Sequence, residues 1–298
     1  MRTRHSGISR GTELLVYTGK VPEEIAPRMR APFQEGDLPG AVKYGYLSVG
    51  VVEQGPDDLL GRDVFCLYPH QTRYVVPVEA LSPLPRGVPP RRAALAGVVE
   101  TAVNAVWDAA PRLGDRVAVV GAGVVGGAVA ALLRTFPLER LQLVDVDPAR
   151  QSLASALGVE LVAPDAAADG CDVVVHASAT EAGLRRSLEL LGDEGEVVEL
   201  SWYGTREVSV PLGAAFHPRR LAIRASQVSE VAAARRARRT HADRMALALR
   251  LLRDDAFDAL IAGTSPFGEL PETMRRLAAG DLPALFHVVD YEEPASTP

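Results

Sequence analysis

The 298-residue sequence predicts an α/β fold: a doubly wound parallel sheet joined to a second, β-rich domain. Three observations carry this. Strand-like and helix-like segments alternate through the middle of the chain. The strands there are apolar throughout, as in Val173-Val174-Val175, which suits strands buried on both faces of a parallel sheet. Residues 1 to about 105 carry instead short β segments broken by glycine and proline, the punctuation of a separate β-rich part.

Taken in order, Leu47 to Glu53, Asp63 to Leu67 and Thr72 to Val76 have the β-branched and aromatic content of strands. Pro77 to Pro90 reads as an extended connection around Leu81, and an Ala-rich helical pattern runs from Arg91 to Ala110. The alternation then begins. Strands are expected at Arg116 to Val120, Leu141 to Val144, Asp172 to His176, Glu196 to Ser201 and Leu221 to Ser226. Helices are expected at Val124 to Arg134, Pro148 to Leu157 and Glu181 to Leu191. A helix near Asp243 to Leu252 leads to a strand, helix and strand near Ala259 to Gly263, Leu270 to Ala279 and Phe286 to Val289. The domains are expected at 1–105 with 256–298, and at 106–255. The closing Glu-Glu-Pro-Ala-Ser-Thr-Pro has the composition of a disordered tail.

Composition narrows the function classes. A net charge of -6 argues against a nucleic-acid binder, which needs a basic surface. No stretch of 18 residues is apolar and free of charge, so no membrane span is expected. Met1-Arg2-Thr3-Arg4-His5 has no apolar run behind it and does not read as a signal peptide. Cys66 and Cys171, far apart in sequence, make no disulfide framework, which fits a reducing cytoplasm.

The strongest chemical signal is Gly121-Ala122-Gly123-Val124-Val125-Gly126, a GxGxxG between an expected strand and an expected helix. Gly121 permits a tight turn, Gly123 lets a pyrophosphate approach the backbone, and Gly126 lets helix pack on strand. The amides of the helix start, at Val124 and Val125, face the phosphates. An acid is required at the end of the next strand, and Asp145 stands there. It can accept from ribose hydroxyls and repels a 2′-phosphate, which favours NAD(H) over NADP(H) unless Arg150 offsets the charge. His176 and Ser178, at and just after the strand beginning near Asp172, and Ser201, after the following strand, stand at carboxyl ends that face a dinucleotide. Trp202 and Tyr203 are candidates for a pocket wall or for packing between domains, His217 with Arg219 for an anion contact or a solvated turn, and Arg235, Arg236, Arg238 and Arg239 for a solvated face or a contact with a phosphorylated or acidic substrate.

The sequence resembles the medium-chain dehydrogenase/reductase superfamily. SGISRGTE (Ser6 to Glu13) looks like its "SGICGTD", Gly45 to Val52 stands at its "GHExxGxV", and Leu113-Gly114-Asp115-Arg116-Val117 is similar to "PGDxVxVxGxG". The wording of KYGYLSVG, FCLYPHQTRYVVP, ELSWYG and FHPRRL is nearest the branch of bacteriochlorophyllide-a dehydrogenase. The resemblance implies a GroES-like catalytic domain, a Rossmann domain, and a homodimer paired through the last Rossmann strand. Members of the family have roughly two further strands before the SGIS segment, so either the start is truncated or the catalytic barrel is pared down, and an open barrel edge would need covering by a partner subunit.

The departures bear on mechanism. The family's zinc-ligand cysteine position holds Ser9 or Arg10, and its histidine and glutamate positions hold Tyr46 and Leu47. Only Glu100 falls where some polyol dehydrogenases carry an acidic ligand, and the four-cysteine structural lobe is missing. Neither set suits zinc, so no metal is expected. Glu100 is then a candidate general base, in an apolar pocket that would raise its pKa, or else a structural carboxylate. Tyr46 is a candidate donor to the substrate oxygen or a core tyrosine. Thr12 matches the hydroxyl that relays a proton in zinc relatives, and His70 is a titratable group on a loop. The reading is an NAD(H)-dependent, zinc-independent oxidoreductase acting on a secondary alcohol or ketone. An enone or quinone reductase and a catalytically silent nucleotide sensor are the alternatives.

Overall fold

The computed structural model describes residues 1–282 and 285–291. The C-terminal segment expected to be disordered lies, from residue 292 on, outside the described residues. In chain order the first elements are β1 (Arg2–Ile8), α1 (Arg10–Tyr17), β2 (Ser48–Val51), β3 (Asp63–Cys66), β4 (Leu81–Pro83), α2 (Pro90–Ala93) and α3 (Ala96–Ala109). Then follow β5 (Arg116–Val120), α4 (Val124–Leu133), β6 (Arg140–Val144), α5 (Gln151–Leu157), β7 (Glu160–Val162), β8 (Cys171–His176), α6 (Glu181–Leu190), β9 (Leu191–Glu199) and β10 (Ala222–Ala225). The chain continues through α7 (His241–Leu251), β11 (Ile261–Pro266), α8 (Leu270–Ala279) and β12 (Phe286–Asp290).

Two sequence expectations need correction. Thr72 to Val76 is not a strand: it lies along the start of β1 through an isolated Arg2–Arg73 bridge and the bonds Thr3 N to Thr72 O and Tyr74 N to Met1 O. Its Val75 is left 96% exposed, so no second face demands regular pairing. Conversely, α1 occupies a segment first read only as a motif. Ser9 is its N-cap, and the Glu13 carboxylate folds back to accept from the Ser9 N–H at 2.7 Å. That bond satisfies an amide at the helix start and offsets the weak helix propensity of Gly11 and Thr12.

The chain divides into two units, Met1–Gly97 with Met245–Pro298, and Val98–Arg244. The junctions fall inside α3 and α7, whereas the sequence reading placed them at 105/106 and 255/256.

In the first unit the described residues form a six-stranded sheet, β11-β12-β1-β2-β3-β4. β11 and β12 run parallel and the other pairs antiparallel. In the second, six strands run parallel in the order β10-β9-β8-β5-β6-β7. From β7 inward this is the 3-2-1-4-5-6 order of a doubly wound sheet. Strand order reverses between β5 and β8, so a ligand crevice is expected at their carboxyl ends. The interior strand residues Val119, Val174 and Val197 are fully buried, each contributing about 1.5–3 kcal/mol of transfer free energy. That packing fixes the positions of the strand ends where the site lies.

Candidate functional site

In the second unit a cavity of about 370 Å³ opens at the switch point. Its lining includes Gly121, Gly123, Asp145, Arg150, Ser178, Thr180 and Gly183. The three motif glycines have distinct reasons to be glycine. Gly121 holds φ +108°, and a Cβ there would lie 2.7 Å from Ser178 N. A Cβ on Gly126 would lie 1.8 Å from Gly121 O. A Cβ on Gly123 would meet nothing within 4 Å, so this residue leaves space open. Gly123 is the N-cap of α4 and supplies no side-chain acceptor. The helix-start amides, including those of Val124 and Val125, therefore remain for an anion. These features fit a dinucleotide pyrophosphate.

Asp145 is fixed by the turn it serves. One carboxylate oxygen accepts from Ala122 N at 2.6 Å and the other from Asp147 N at 2.9 Å. Each oxygen keeps a lone pair for a further donor. Arg150 also lines the cavity, its guanidinium 3.3 Å from the Asp147 carboxylate.

Behind Ser178 lies a chain of hydrogen bonds. His176 is fully buried, with Nδ1 2.7 Å from Glu199 Oε2 and Nε2 2.7 Å from Ser178 Oγ. Ser178 Oγ is 2.9 Å from Thr180 Oγ1, which accepts from Gly183 N at the start of α6. The Glu199 carboxylate accepts from the Tyr203 hydroxyl at 3.1 Å and from Ser201 N at 2.6 Å. Ser201 Oγ accepts from Ala179 N at 3.0 Å. Burial raises the Glu199 carboxyl, but its hydrogen bond and charge pairing with His176 and the Ser201 contacts outweigh burial and leave it below the ordinary range. Burial, then the Glu199 charge, pushes the Tyr203 phenol well up.

The first unit holds a second cluster. Tyr46 is half-buried and bonded to the hydroxyls of Ser9 and Thr12. Its phenol is pushed up to about 12, first by burial and then by the Glu13 charge. Glu13, only 3% exposed, faces His70 Nε2 at 2.9 Å. His70 Nδ1 lies 2.7 Å from Ser6 Oγ, which is 3.0 Å from the Tyr291 hydroxyl. Gly45 lets the histidine in: a Cβ there would lie 2.7 Å from the His70 ring. Tyr46 and Thr12 are thus bonded to each other, while His70 is bonded to Glu13, whose charge acts on Tyr46.

Glu100 is placed elsewhere. It does not face an apolar pocket: at 6% exposure, its Oε1 accepts from Arg244 Nε at 3.1 Å within the second unit. Burial raises its carboxyl, and the Arg244 charge and hydrogen bond counter that in part. His217 is exposed, and Arg219 is turned to Asp193 Oδ1 at 2.8 Å and Leu191 O, so the two are not joined at an anion site. Arg235, Arg236, Arg238 and Arg239 are exposed, Arg235 lying over the Trp107 ring. Trp202 is half-buried.

Glu13, Ser6, Tyr291 and Glu199 were not singled out from sequence. Glu13 carried a legible signal, one helical turn beyond an N-cap serine. Glu199 did not: it meets His176 as its register partner across β8 and β9, which is known only once strand order is.

A larger cavity in the first unit, about 610 Å³, is floored by Val52, Leu59, Tyr74 and Leu81. Its charged lining residues, Glu53 and Arg73, pair with each other at 3.2 Å.

Among the described residues no group of three or more His, Cys, Asp or Glu side chains could hold a metal ion. Nor, among those residues, is any helix long and apolar enough to cross a membrane.

No protein-family model matches the chain. The 2-dehydro-3-deoxy-L-galactonate 5-dehydrogenase of Pseudoalteromonas atlantica is 27% identical over 146 residues, 45% of this chain and 42% of that protein. "Probable D-xylulose reductase A" of Arthroderma otae is 30% identical over 158 residues, 48% of this chain and 44% of that protein. The matches span less than half the length of either relative. Among solved structures, L-idonate 5-dehydrogenase from Escherichia coli matches with a TM-score of 0.77 at 18% identity, over 97% of this chain and 90% of that one. Alcohol dehydrogenase from Thermus sp. matches with a TM-score of 0.72 at 23% identity, over 98% and 91%. This chain has the fold of the medium-chain alcohol and polyol dehydrogenases.

Proposed function

We propose that the chain is an NAD(H)-dependent, zinc-independent oxidoreductase acting on the secondary alcohol or ketone carbon of a small hydroxylated molecule. The observation that carries the reading is the glycine turn at the switch point, with open space at Gly123 and Asp145 fixed beside it. Structural neighbours support the class: one is complexed with NADH and another is bound to NADP. The names of the curated relatives point to sugar-derived alcohols and ketones. Asp145 favours NAD(H), because a carboxylate repels a 2′-phosphate.

When bound, the nicotinamide accepts or delivers the hydride. The protein's part is to orient the substrate and handle the oxygen. Tyr46 is assigned the donor role. With its phenol held up to about 12, it keeps its proton at neutral pH and donates a hydrogen bond to a carbonyl or alkoxide oxygen. Ser9 and Thr12 hold the phenol's other lone pairs. The Glu13 charge lies behind it, its carboxylate held by His70, with Ser6 and Tyr291 closing the chain. Glu100 is assigned a structural role opposite Arg244.

The residues at the family's metal-ligand positions are a poor zinc donor set. Ser9 or Arg10, Tyr46 and Leu47 offer a hydroxyl or guanidinium, a phenol and an apolar side chain; Glu100 is paired with Arg244, and Glu13 is already shared by His70 and the Ser9 amide. The wording of the sequence supports placement in the bacteriochlorophyllide-a dehydrogenase-like branch. The exposed edge of β10 supports a homodimer, and two unpaired cysteines support a cytoplasmic setting. The test is a titration with NADH and NADPH by fluorescence, followed by turnover of polyols, ketones and enones. Tighter NADH binding with turnover of a polyol or ketone supports the reading. Preference for NADPH with enone turnover replaces it with the reductase alternative, and binding without turnover of any substrate favours the sensor.

A further inference from the structure

Glu199, His176, Ser178 and Thr180 form one unbroken line of hydrogen bonds from a half-buried carboxylate to the wall of the dinucleotide cavity. Counting donors along it exposes a constraint. Glu199 is met by donors, the Tyr203 hydroxyl at 3.1 Å and the Ser201 amide at 2.6 Å, the surroundings of an ionised carboxylate that can only accept. His176 Nδ1 must carry its hydrogen toward it. A neutral imidazole then has a bare Nε2. Ser178 has to donate to that nitrogen, 2.7 Å away, and the Thr180 hydroxyl donates in turn to Ser178. No hydroxyl hydrogen is left for the cavity. If His176 takes a second proton, Nε2–H donates to Ser178 Oγ instead. The line reverses, and one hydroxyl, of Ser178 or Thr180, is freed to donate into the cavity.

We propose that Glu199–His176–Ser178 is a proton-linked anchor: an acceptor oxygen of the dinucleotide is bound at Ser178 together with uptake of about one proton at His176. The inference rests on the dinucleotide reading above. The fold holds the line in place. Gly183, in the first turn of α6, has no side chain because a Cβ would lie 2.1 Å from Ser178 Oγ and 2.8 Å from His176 Nε2. Around His176, β5 presents Val120, its register partner. β9 presents Glu199, and the turn after it presents Ser201 and Tyr203. Arg206 is bound to Ala179 O beyond Tyr203. The charged groups of the cavity are Asp145, Arg150 and Arg186. Arg186 is paired with Asp169 at 3.2 Å and with the carbonyls of Pro164 and Ala167, and Arg150 with Asp147. The imidazolium therefore has a dedicated counter-ion in Glu199. Ser178 and His176 act as positioning residues.

Calorimetric titration of the full chain with NADH, in pairs of buffers of different ionisation enthalpy between pH 6 and 9, counts the protons exchanged. The expected result is an uptake that passes through a maximum approaching one proton per NADH. The dissociation constant should weaken by up to about tenfold per pH unit over the same interval. In Ser178→Ala the uptake should collapse and the dissociation constant become flat with pH. In Glu199→Gln the maximum should move to lower pH, because the imidazolium loses its counter-ion. The wild-type measurement stands alone if either variant fails to fold. NADH binding without proton uptake anywhere in the range overturns the anchor and leaves the dinucleotide reading intact. Undiminished uptake in Ser178→Ala also overturns it, by placing the proton elsewhere. Absence of NADH binding overturns both.

Discussion

Replacing Arg244 with methionine tests whether Glu100 is part of a buried clamp or of the chemistry. Arg244 is 1% exposed and Glu100 6%. The guanidinium donates to Glu100 Oε1 at 3.1 Å, to Asn104 Oδ1 at 2.6 Å, to Glu230 O at 3.1 Å and to Val228 O. Methionine fills much of the volume but makes none of these bonds. Removing one partner of a buried pair costs about 3–5 kcal/mol, because the other charge is left unpaired. That loss corresponds to a fall in Tm on the order of 10 °C for a domain of this size. The abandoned Glu100 is already raised by burial against the pull of Arg244, so without that pull it holds a proton more firmly. A raised carboxyl makes folding less favourable as pH climbs above the glutamate range near ~4.3, so the penalty should shrink in acid and grow toward pH 8. The double variant Glu100→Gln, Arg244→Met leaves no charge buried and should recover ~1 kcal/mol or more in a double-mutant cycle. The assay is thermal and denaturant unfolding, with NADH affinity measured alongside. A loss below ~1 kcal/mol would refute the clamp. So would unchanged melting of Glu100→Gln together with lost turnover, which would return Glu100 to the chemistry.

Other outcomes follow from the same geometry. Gly123→Val should fold normally, since its Cβ direction is open, yet weaken NADH binding at least about tenfold by filling the phosphate approach. Gly126→Ala should lose stability instead, because its Cβ would overlap Gly121 O; the contrast is read by melting and fluorescence titration together. Asp145→Asn should raise the NADPH-to-NADH affinity ratio roughly tenfold, since one repelling charge is removed; an unchanged ratio would mean that Arg150 already decides the preference. His287 is held below the ordinary histidine range, first by burial and then by the Arg276 charge. A depressed histidine contributes stability that is lost as pH falls below about 6.5. A well-packed neutral replacement, His287→Gln, should therefore flatten stability between pH 7 and 5.

The doubly wound unit was legible because its signals are local: apolar strand runs, a glycine turn and an acid at a fixed distance. Strand ends at Val120, Val144 and His176 follow from these alone. β7, with only three residues, Glu160–Val162, was too short to show a period. In the first unit the signals are long-range. β1 pairs with β12 across nearly the whole chain, and α1 hides in a segment whose Gly11 and Thr12 argue against a helix. The placement of Glu100 was missed because its neighbour, Arg244, is 144 residues away. Its apolar helix context read as a pocket, whereas a guanidinium fills the space. Tyr46, Thr12 and His70 were singled out one by one; Glu13, which bonds His70 and acts on Tyr46 through its charge, needed the helix to be seen first.

We propose that the Tyr46 hydroxyl, without bound metal, handles the substrate oxygen in a reaction that uses NAD(H). The most direct measurement is turnover with NAD(H) over the alcohol and ketone panel, after exhaustive chelation, for the wild type and Tyr46→Phe. The prediction is undiminished wild-type turnover after chelation. Tyr46→Phe should lose about 10²–10³-fold in kcat, the scale for removing one such donor, with NADH affinity unchanged. Activity that disappears on chelation and returns with zinc, or a Tyr46→Phe variant as active as the wild type, would contradict it.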